Sequence, residues 1–270
     1  MKITATATLL AVTLAAGAHA QDVADTGGTA DYDDTYTSAN KPSISIGAGV
    51  AFMPDYSGAD TYQSFAIPAL AVYKEITPGN LAYIKGLTAG VDHAVNDQLS
   101  IGAMADYRYK RDSSDSSRLA GMDDIDAAIE FGPKVRYQLT PRVGLEGTAL
   151  FDVSDASNGY TVRTGADYSV PLSPVTLLTI AGGLNYGSSN FNNTYYGVTQ
   201  ADARPGRGAY RPGSGLTNFD SSVTVKQAVT RHWSVQGKLG ADLLLADVAD
   251  STIVDQAFQP SLTIGAAYTF

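Results

Sequence analysis

The chain has 270 residues, no cysteine, 27 glycines and 16 tyrosines against 8 phenylalanines, and its formal net charge is −9. The absence of cysteine excludes disulfides and thiolate metal sites, and an acidic chain without a cluster of basic residues argues against nucleic-acid binding. A mean hydropathy of −0.06 excludes a helical membrane protein but suits a barrel, whose strands alternate apolar and polar side chains.

The N-terminus has the features of a secretory signal peptide. Residues 1–20 contain one lysine, an apolar run from Leu9 to Ala18 and the motif Ala18-His19-Ala20, after which we expect cleavage. The apolar run is too short to span a bilayer as a helix. Residues 21–42 are polar and acidic, and we expect this segment to be disordered because it has few apolar side chains to bury. Residues 43–270 then form the folded unit.

That unit consists of segments in which apolar and polar side chains alternate, as they do in strands with one apolar face. In chain order the segments are 44–52, 64–74, 81–95, 99–110, 125–139, 143–152, 160–170, 175–186, 219–230, 232–245 and 260–270. The last segment ends the chain on the aromatic Phe270, as expected where a closing strand reaches the interfacial aromatic girdle of a membrane barrel.

Two features favour a transmembrane antiparallel β-barrel over a soluble β-sandwich. First, the polar face carries charges of both signs at strand centres, which is typical of a hydrated, ion-paired barrel interior. These residues are Arg108, Glu130, Arg136, Glu146, Arg163, Asp167 and Lys238. Second, short turns near residues 96, 140, 171 and 230 alternate with longer loops near 113, 154, 188 and 247, as periplasmic turns and outer loops do.

The number of strands is not fixed by the alternation alone. The sequence shows eleven segments, whereas single-chain bacterial barrels have an even number of strands. Two short strands on either side of Gly86 would give twelve, and one segment outside the wall would give ten. We favour twelve.

Several motifs, taken together and in order, resemble those of the MipA/OmpV family of outer-membrane proteins. They are 53–60 (MPDYSGAD) with Ile67-Pro68 behind it, 119–126 (LAGMDDID), 193–199 (NTYYGVT), 210–216 (YRPGSGL), His232-Trp233, 250–254 (DSTIV) and the ending 268–270 (YTF). One departure is Thr252, where the family usually has proline after the serine. The match extends over the whole mature barrel.

The resemblance implies a location in the outer membrane, in contact with its lipid, and a scaffolding role. In the best-known branch of the family, the protein associates with a murein lytic transglycosylase and a bifunctional penicillin-binding protein. Other members are known chiefly as surface antigens, so the resemblance indicates fold and location more strongly than it indicates partners.

No motif predicts a catalytic, metal or cofactor site. His93 and His232 each lie near a turn without surrounding ligand spacing, so we interpret both as structural. The carboxylates Asp123, Asp124 and Asp126 lie where a loop meets a strand, and there aspartate commonly stabilises turns. An acid-base pair acting on glycans is the weaker interpretation of these aspartates.

The interior charges and the longest loop each allow two interpretations. Glu130, Arg136, Arg163 and Asp167 either pair with each other to fill the lumen or line a narrow pore and set its ion preference; we favour pairing. The aromatic and arginine residues of 188–218 suit binding of a partner and also a loop folded over or into the barrel mouth, and the two interpretations are compatible. These residues are Phe191, Tyr195, Tyr196, Tyr210 and Arg211.

The resemblance to the MipA/OmpV family, together with the lack of a catalytic constellation, favours a non-enzymatic scaffold for murein-synthesising and murein-hydrolysing enzymes. The alternatives are a narrow channel for small solutes and a surface antigen or adhesin. A barrel enzyme acting on lipid or peptide is the weakest hypothesis, because no catalytic constellation is apparent.

Overall fold

The computed structural model describes residues 42–270, which form one closed antiparallel barrel of twelve strands. The predicted signal peptide and nearly all of the acidic segment lie outside the described residues and stay predictions. The strands are β1 (Ser43–Pro54), β2 (Tyr62–Thr77), β3 (Asn80–Lys85), β4 (Thr88–Ala94), β5 (Leu99–Arg108), β6 (Ala128–Thr140), β7 (Val143–Asp152), β8 (Tyr160–Ser173), β9 (Thr176–Gly187), β10 (Gly215–Ala228), β11 (Trp233–Leu244) and β12 (Phe258–Thr269).

Each strand pairs with its neighbours in the sequence, and β12 pairs with β1 to close the wall. The closing ladder runs from Ser45 opposite Thr269 to Phe52 opposite Leu262. This pairing explains why the alternation continues to the end of the chain: β12 has a neighbour on both sides. Closure gives every one of the twelve strands a hydrogen-bonded neighbour on both sides, as a barrel in lipid requires.

The prediction of twelve strands is confirmed, and the ten-strand alternative is wrong. The apparent strand 81–95 is two short strands, β3 and β4, joined by a tight turn at Gly86. Gly86 has a φ of 57°, a conformation that glycine adopts without steric cost. The outward positions change from even-numbered residues in β3, such as Ile84, to odd-numbered residues in β4, such as Val91, as expected across a two-residue turn.

Several predicted boundaries were wrong, and β10 in particular begins at Gly215, inside the irregular stretch expected at 188–218. Ile125 and Asp126 were expected in the sixth strand, but β6 begins at Ala128, and Ile125 makes an isolated bridge with Arg111 inside the preceding loop. The turn expected at 171–174 lies at residues 174–175, because β8 continues through Pro171 to Ser173.

Two short helices interrupt the longer loops: α1 (Ser189–Tyr196) and α2 (Ala246–Ala249). Neither was predicted. None of the helices among residues 42–270 is long and apolar enough to cross a membrane.

The two faces of the wall differ as the alternation predicted. Large apolar side chains point outward and remain exposed; Val50, Ile101 and Ile264 are examples. Polar and small side chains point inward. Ser43, Phe270 and the short turns lie at one end of the barrel, which we call the turn end, and the longer loops lie at the other, the loop end.

Candidate functional site

The loop end is closed by four loops that pack onto one another, and we call this assembly the loop lid. It consists of residues 55–61, 109–127, 188–214 and 245–257. One apolar cluster joins all four loops through Tyr56, Leu119, Val198 and Ile253, none of which is more than 3% exposed. Four loops distant in sequence therefore bury a shared core, which stabilises one arrangement of the lid.

Helix α1 lies inside the mouth of the barrel. Ser188 caps it by accepting a hydrogen bond from the Phe191 backbone N–H at 3.3 Å, and the same oxygen accepts from the Tyr160 N–H at 2.9 Å. The cap thus ties the helix to the rim of β8. Phe191 and Tyr195 then pack with Leu244 at the end of β11, on the other side of the mouth.

The rings of α1 cover the uppermost charge of the lumen. The Arg108 guanidinium carbon lies 4.9 Å from the centre of the Phe191 ring and 5.2 Å from that of Tyr195. Arg108 also donates to both carboxylate oxygens of Glu130, at 3.2 and 3.0 Å. A cation held between aromatic faces and a carboxylate anchors the lid to the wall beneath it.

Arginine side chains satisfy the backbone carbonyls of the lid. Arg111 donates to the Tyr195 carbonyl at 2.7 Å. Arg207, which is 2% exposed, donates to the carbonyls of Arg118, Ala120 and Asp202, the first two of which belong to a different loop. Buried backbone oxygens need partners, and a guanidinium supplies several donors at once.

Burial alters the titration of two lid tyrosines. The Tyr56 hydroxyl donates to the Ile253 carbonyl at 2.7 Å, and burial, together with the nearby Asp255 carboxylate, raises the pKa of Tyr56 well above its usual value. Burial also raises the pKa of Tyr195 to about 12. Both side chains therefore favour the neutral form, which an apolar core requires.

Beneath the lid, ion pairs cross the lumen face of β4 to β10. Lys134 bonds to Asp92 at 2.9 Å, Arg136 to Asp167 at 2.9 Å and Arg163 to Asp220 at 2.7 Å. The prediction that Glu130, Arg136, Arg163 and Asp167 pair with each other is confirmed in part. Arg136 and Asp167 do so, whereas Arg163 pairs with Asp220 and Glu130 with Arg108. The sequence could not reveal the partners, because Arg136 and Asp167 are 31 residues apart, on strands that are not neighbours.

Inward glycines make room for these ion pairs. A Cβ at Gly144 would overlap the Arg136 guanidinium and approach the Asp167 carboxylate. A Cβ at Gly183 would lie 2.7 Å from Arg163 Nη2, and Gly165 is similarly close to the same side chain. The glycines on the polar face therefore let large charged side chains lie flat against the wall instead of extending into the lumen.

The opposite side of the lumen is uncharged and lined by small residues. Along β1 and β12 these inward residues include the pairs Gly47 opposite Ala267 and Gly49 opposite Gly265. Ser45 and Thr269 share a hydrogen bond of 2.8 Å near the turn end. The lumen is thus polarised around its circumference, with charge on one side and small side chains on the other.

At the turn end, local hydrogen bonds fix the backbone of the turns. Thr140, Ser173 and Thr230 each accept backbone N–H groups two or three residues ahead, at 3.0 to 3.2 Å. Asn96 does the same for Gln98 and Leu99 at 2.9 Å. We call these four turns the turn rim. Its backbone is ordered in advance by its own side chains.

The C-terminal residues lie in an aromatic cluster beside this rim. Tyr268 stacks on His232 at 5.3 Å and meets the edges of Trp233 and Phe270 at 5.4 and 4.9 Å. Trp233 is 49% and Phe270 72% exposed. Amphipathic rings at one level of a barrel wall mark a membrane interface.

This architecture can be compared with known proteins. The model of the family described as MltA-interacting protein MipA matches residues 46–270, which is nearly the whole described chain. The chain belongs to this family. The resemblance read from the motifs is thereby confirmed, and with it the prediction of an outer-membrane β-barrel.

Two curated relatives align with most of the chain. The putative outer membrane protein YiaT of Escherichia coli K12 is 24% identical over 245 residues, covering 86% of this chain and 93% of the relative. The MltA-interacting protein of the same organism is 26% identical over 233 residues, covering 84% and 90%. For a MipA-family barrel, the loop end faces the cell exterior and the turn end faces the periplasm.

Solved structures share the fold alone. The translocator domain of the autotransporter NalP from Neisseria meningitidis aligns with a TM-score of 0.51 at 10% identity, covering 93% of each chain. An outer membrane channel from Pseudomonas putida F1 aligns with a TM-score of 0.50 at 15% identity, covering 86% of this chain and 96% of the other.

Three of the residues singled out in the sequence make local hydrogen bonds in this MipA-family barrel. His93 shares a hydrogen bond with Asn80 at 2.9 Å, and His232 with the Thr269 carbonyl at 2.9 Å. Asp124 accepts from the Ser113 N–H at 2.6 Å, which lowers the pKa of Asp124. The turn interpretation of this aspartate is thus confirmed, whereas Asp123 and Asp126 are exposed beside it.

Most aromatic residues of the longest loop are buried in the lid. Phe191, Tyr195 and Tyr196 are at most 7% exposed, and Tyr210 donates its hydroxyl to the Asp247 carbonyl at 2.8 Å. The interpretation that this loop folds into the mouth is confirmed. Arg211, in the same loop, is exposed to solvent.

Sequence reasoning missed α1, Arg111 and Arg207. Ser188 followed by an aromatic-rich stretch is a usable N-cap signal for α1. No local pattern identifies Arg111 or Arg207, because their acceptors are carbonyls of loops 84 to 89 residues away in the chain.

Proposed function

We propose that this protein is a non-enzymatic outer-membrane anchor that gathers murein-processing enzymes at its periplasmic turn rim. The partners we propose are a murein lytic transglycosylase and a bifunctional penicillin-binding protein. Residues 1–20 serve as the export signal in this proposal, and residues 21–42 extend from the barrel into the periplasm.

One observation carries the proposal: the lid closes the exterior end, while the periplasmic end has a rim ordered by its own hydrogen bonds. A surface that is ordered before binding loses little conformational entropy on binding. The relative named MltA-interacting protein supports the choice of partner, because its name states an interaction with MltA.

The lumen and the lid argue against the channel alternative. A solute channel needs a continuous path, and here α1 covers Arg108 while four loops share one buried core above it. The ion pairs beneath the lid are held against the wall by glycine neighbours, which makes them part of the structure of the wall. Conduction would require the lid to open.

The proposal is tested by affinity capture. The full folded chain is immobilised and challenged with detergent-solubilised envelope from its own cell, with an unrelated barrel as the control. We expect selective recovery of a lytic transglycosylase or a penicillin-binding protein. Recovery no greater than that from the unrelated barrel would contradict the proposal.

A matched pair of variants then locates the binding surface. Arg142 lies in a periplasmic turn and Arg211 in the lid, and both are exposed. We expect Arg142→Glu to reduce recovery about tenfold, since rim charges steer association, and Arg211→Glu to leave it unchanged. Equal losses in both variants, or a loss in Arg211→Glu alone, would contradict a periplasmic binding rim.

A further inference from the structure

The wall of the barrel is unusually low at β3 and β4. These strands have 6 and 7 residues, whereas the other ten have 10 to 16. At ~3.3 Å per residue and a tilt of ~45°, they cover only ~15 Å of a hydrocarbon core that is ~30 Å thick. A spanning strand needs about 9–11 residues, so this part of the wall falls short by several residues.

The missing part lies on the exterior side. β1 pairs with β2 along its whole length from Pro54 opposite Tyr62, but β3 pairs with β2 only from Ala71 onward. Within residues 42–270, the stretch 62–69 of β2 therefore has a strand partner on one side only. We call the gap between this stretch and the end of β5 the lateral notch.

Pro68 fits the notch. The Leu70 carbonyl accepts from the Gly86 N–H, so the even-numbered residues of β2 direct their backbone groups toward β3. Pro68 is the first such residue beyond the end of β3, and proline has no N–H to leave without a ladder partner. A proline in the middle of a 16-residue strand is thus explained by an absent neighbour.

The inner wall behind the notch is apolar, in contrast to the rest of the lumen. Ala51, Met53 and Phe65 form a buried cluster on β1 and β2, with Ile67 packed against it. Tyr109, which follows β5 on the other side of the gap, also packs against this cluster. Its ring meets that of Tyr107 edge-on at 5.3 Å, and the Tyr107 N–H bonds to the Leu87 carbonyl of the β3–β4 turn.

We propose that the lateral notch is a binding site for an acyl chain of an outer-leaflet lipid, and that Tyr109 is its gate. The outward side chains on either side of the notch, Leu70 and Tyr107, are exposed on the lipid-facing wall, and Pro68 has no N–H to leave unpaired at the strand edge. An apolar inner wall reached through a gap in the outer leaflet matches a hydrocarbon chain and no polar ligand. Displacement of the Tyr109 ring lets the chain reach Met53 and Phe65.

This inference is independent of the scaffold proposal, because the notch opens to the exterior leaflet and the turn rim faces the periplasm. A negative affinity-capture result would not contradict the lipid site, and a negative result for the lipid site would not contradict the scaffold proposal.

The test uses photo-crosslinking from lipid. The full folded chain is reconstituted in phospholipid vesicles doped with a phosphatidylcholine that carries a diazirine on one acyl chain, and adducts are mapped by peptide mass spectrometry. Tyr109→Ala is compared with wild type and with Tyr168→Ala, a control that removes a ring of the same size from the outward face of β8, away from the notch.

We expect adducts on Met53 and Phe65 to rise about threefold or more in Tyr109→Ala, as the open population grows, and to match wild type in Tyr168→Ala. Adducts on the outward Leu70 should be equal in all three and report equal lipid contact. Adducts confined to outward residues in every variant would overturn the proposal.

A second measurement does not depend on the Tyr109 variant folding. The chain has no cysteine, so Phe65→Cys introduces a single thiol. We expect a membrane-soluble maleimide to label this thiol at least about tenfold faster than a charged, membrane-impermeant one, because the route to it runs through lipid. Equal labelling by both reagents, or faster labelling by the charged reagent, would overturn the lipid route.

Discussion

At the scale of single residues, the barrel interior depends on glycine as much as on charge. Gly144 lies against the Arg136 guanidinium, and this guanidinium forms an ion pair with the Asp167 carboxylate at 2.9 Å. Asp167 is 7% and Arg136 14% exposed in the side chain, so each needs the other. A side chain at position 144 would push the pair apart and leave two poorly solvated charges.

We therefore predict that Gly144→Val lowers the free energy of unfolding by about 3 kcal/mol. The measurement is urea unfolding of the barrel reconstituted in vesicles. Gly237→Val is the matched control, because Gly237 also lies in a strand but a Cβ added there would have no heavy atom within 4 Å. We expect the control to change stability by less than about 0.5 kcal/mol. Equal losses would show that the ion pair is not the cause.

The lid tyrosines predict a dependence on high pH. Because the pKa of Tyr56 is raised in the folded lid, the unfolded lid releases its proton first as the pH rises past the usual tyrosine value of about 10. The stabilisation that the buried, neutral Tyr56 gives to the folded lid is fully present below pH ~10 and decreases as the pH rises above it. We expect proteolysis of the lid loops to accelerate between about pH 9 and about 11. Tyr56→Phe should show a smaller acceleration, and an identical pH profile in the variant would contradict this role.

At the scale of elements, α1 decides whether the mouth is open. It is only 8 residues long, and an isolated helix of this length is unstable, so its cap and its contacts with the wall must hold it. Ser188 serves both purposes, since one hydroxyl oxygen accepts from the helix and from β8.

Ser188→Ala should therefore loosen the lid without unfolding the barrel. Loss of the cap costs about 1 kcal/mol, which corresponds to about a fivefold rise in the rate of proteolysis within residues 188–214. The exposed Ser189, the first residue of α1, supplies the control variant Ser189→Ala. A variant of Ser188 that is cleaved no faster than the control would argue that the cap does not hold the helix.

Elements with a repeating pattern could be predicted from the sequence, and the others could not. Period-two alternation identified the strands and their faces, because outward side chains face lipid and are apolar, whereas inward side chains face the lumen and are polar or small. The lid was beyond such reasoning, since its core joins Tyr56 to Ile253 across nearly the whole chain. The ion-pair partners were also beyond it, because they follow from the stagger of the closed sheet, which no local pattern specifies.

At the scale of the whole molecule, the two ends of the barrel differ in structure. The exterior end is filled by loops with a buried apolar core, arginine-bonded carbonyls and a helix over the lumen. The periplasmic end consists of short turns that fix their own backbone. This difference between the two ends is what the proposed scaffold role rests on: a rim ordered before binding at one end, and a mouth covered by packed loops at the other.

The most direct test of this account is the electrical conductance of planar bilayers that contain the pure, folded, full-length barrel. The closed lid predicts no steady conductance steps above the background of protein-free bilayers at neutral pH. Stable, long-lived steps from the wild-type barrel would show that the lumen is open across its length, and would contradict both the closed mouth and the scaffold proposal built on it.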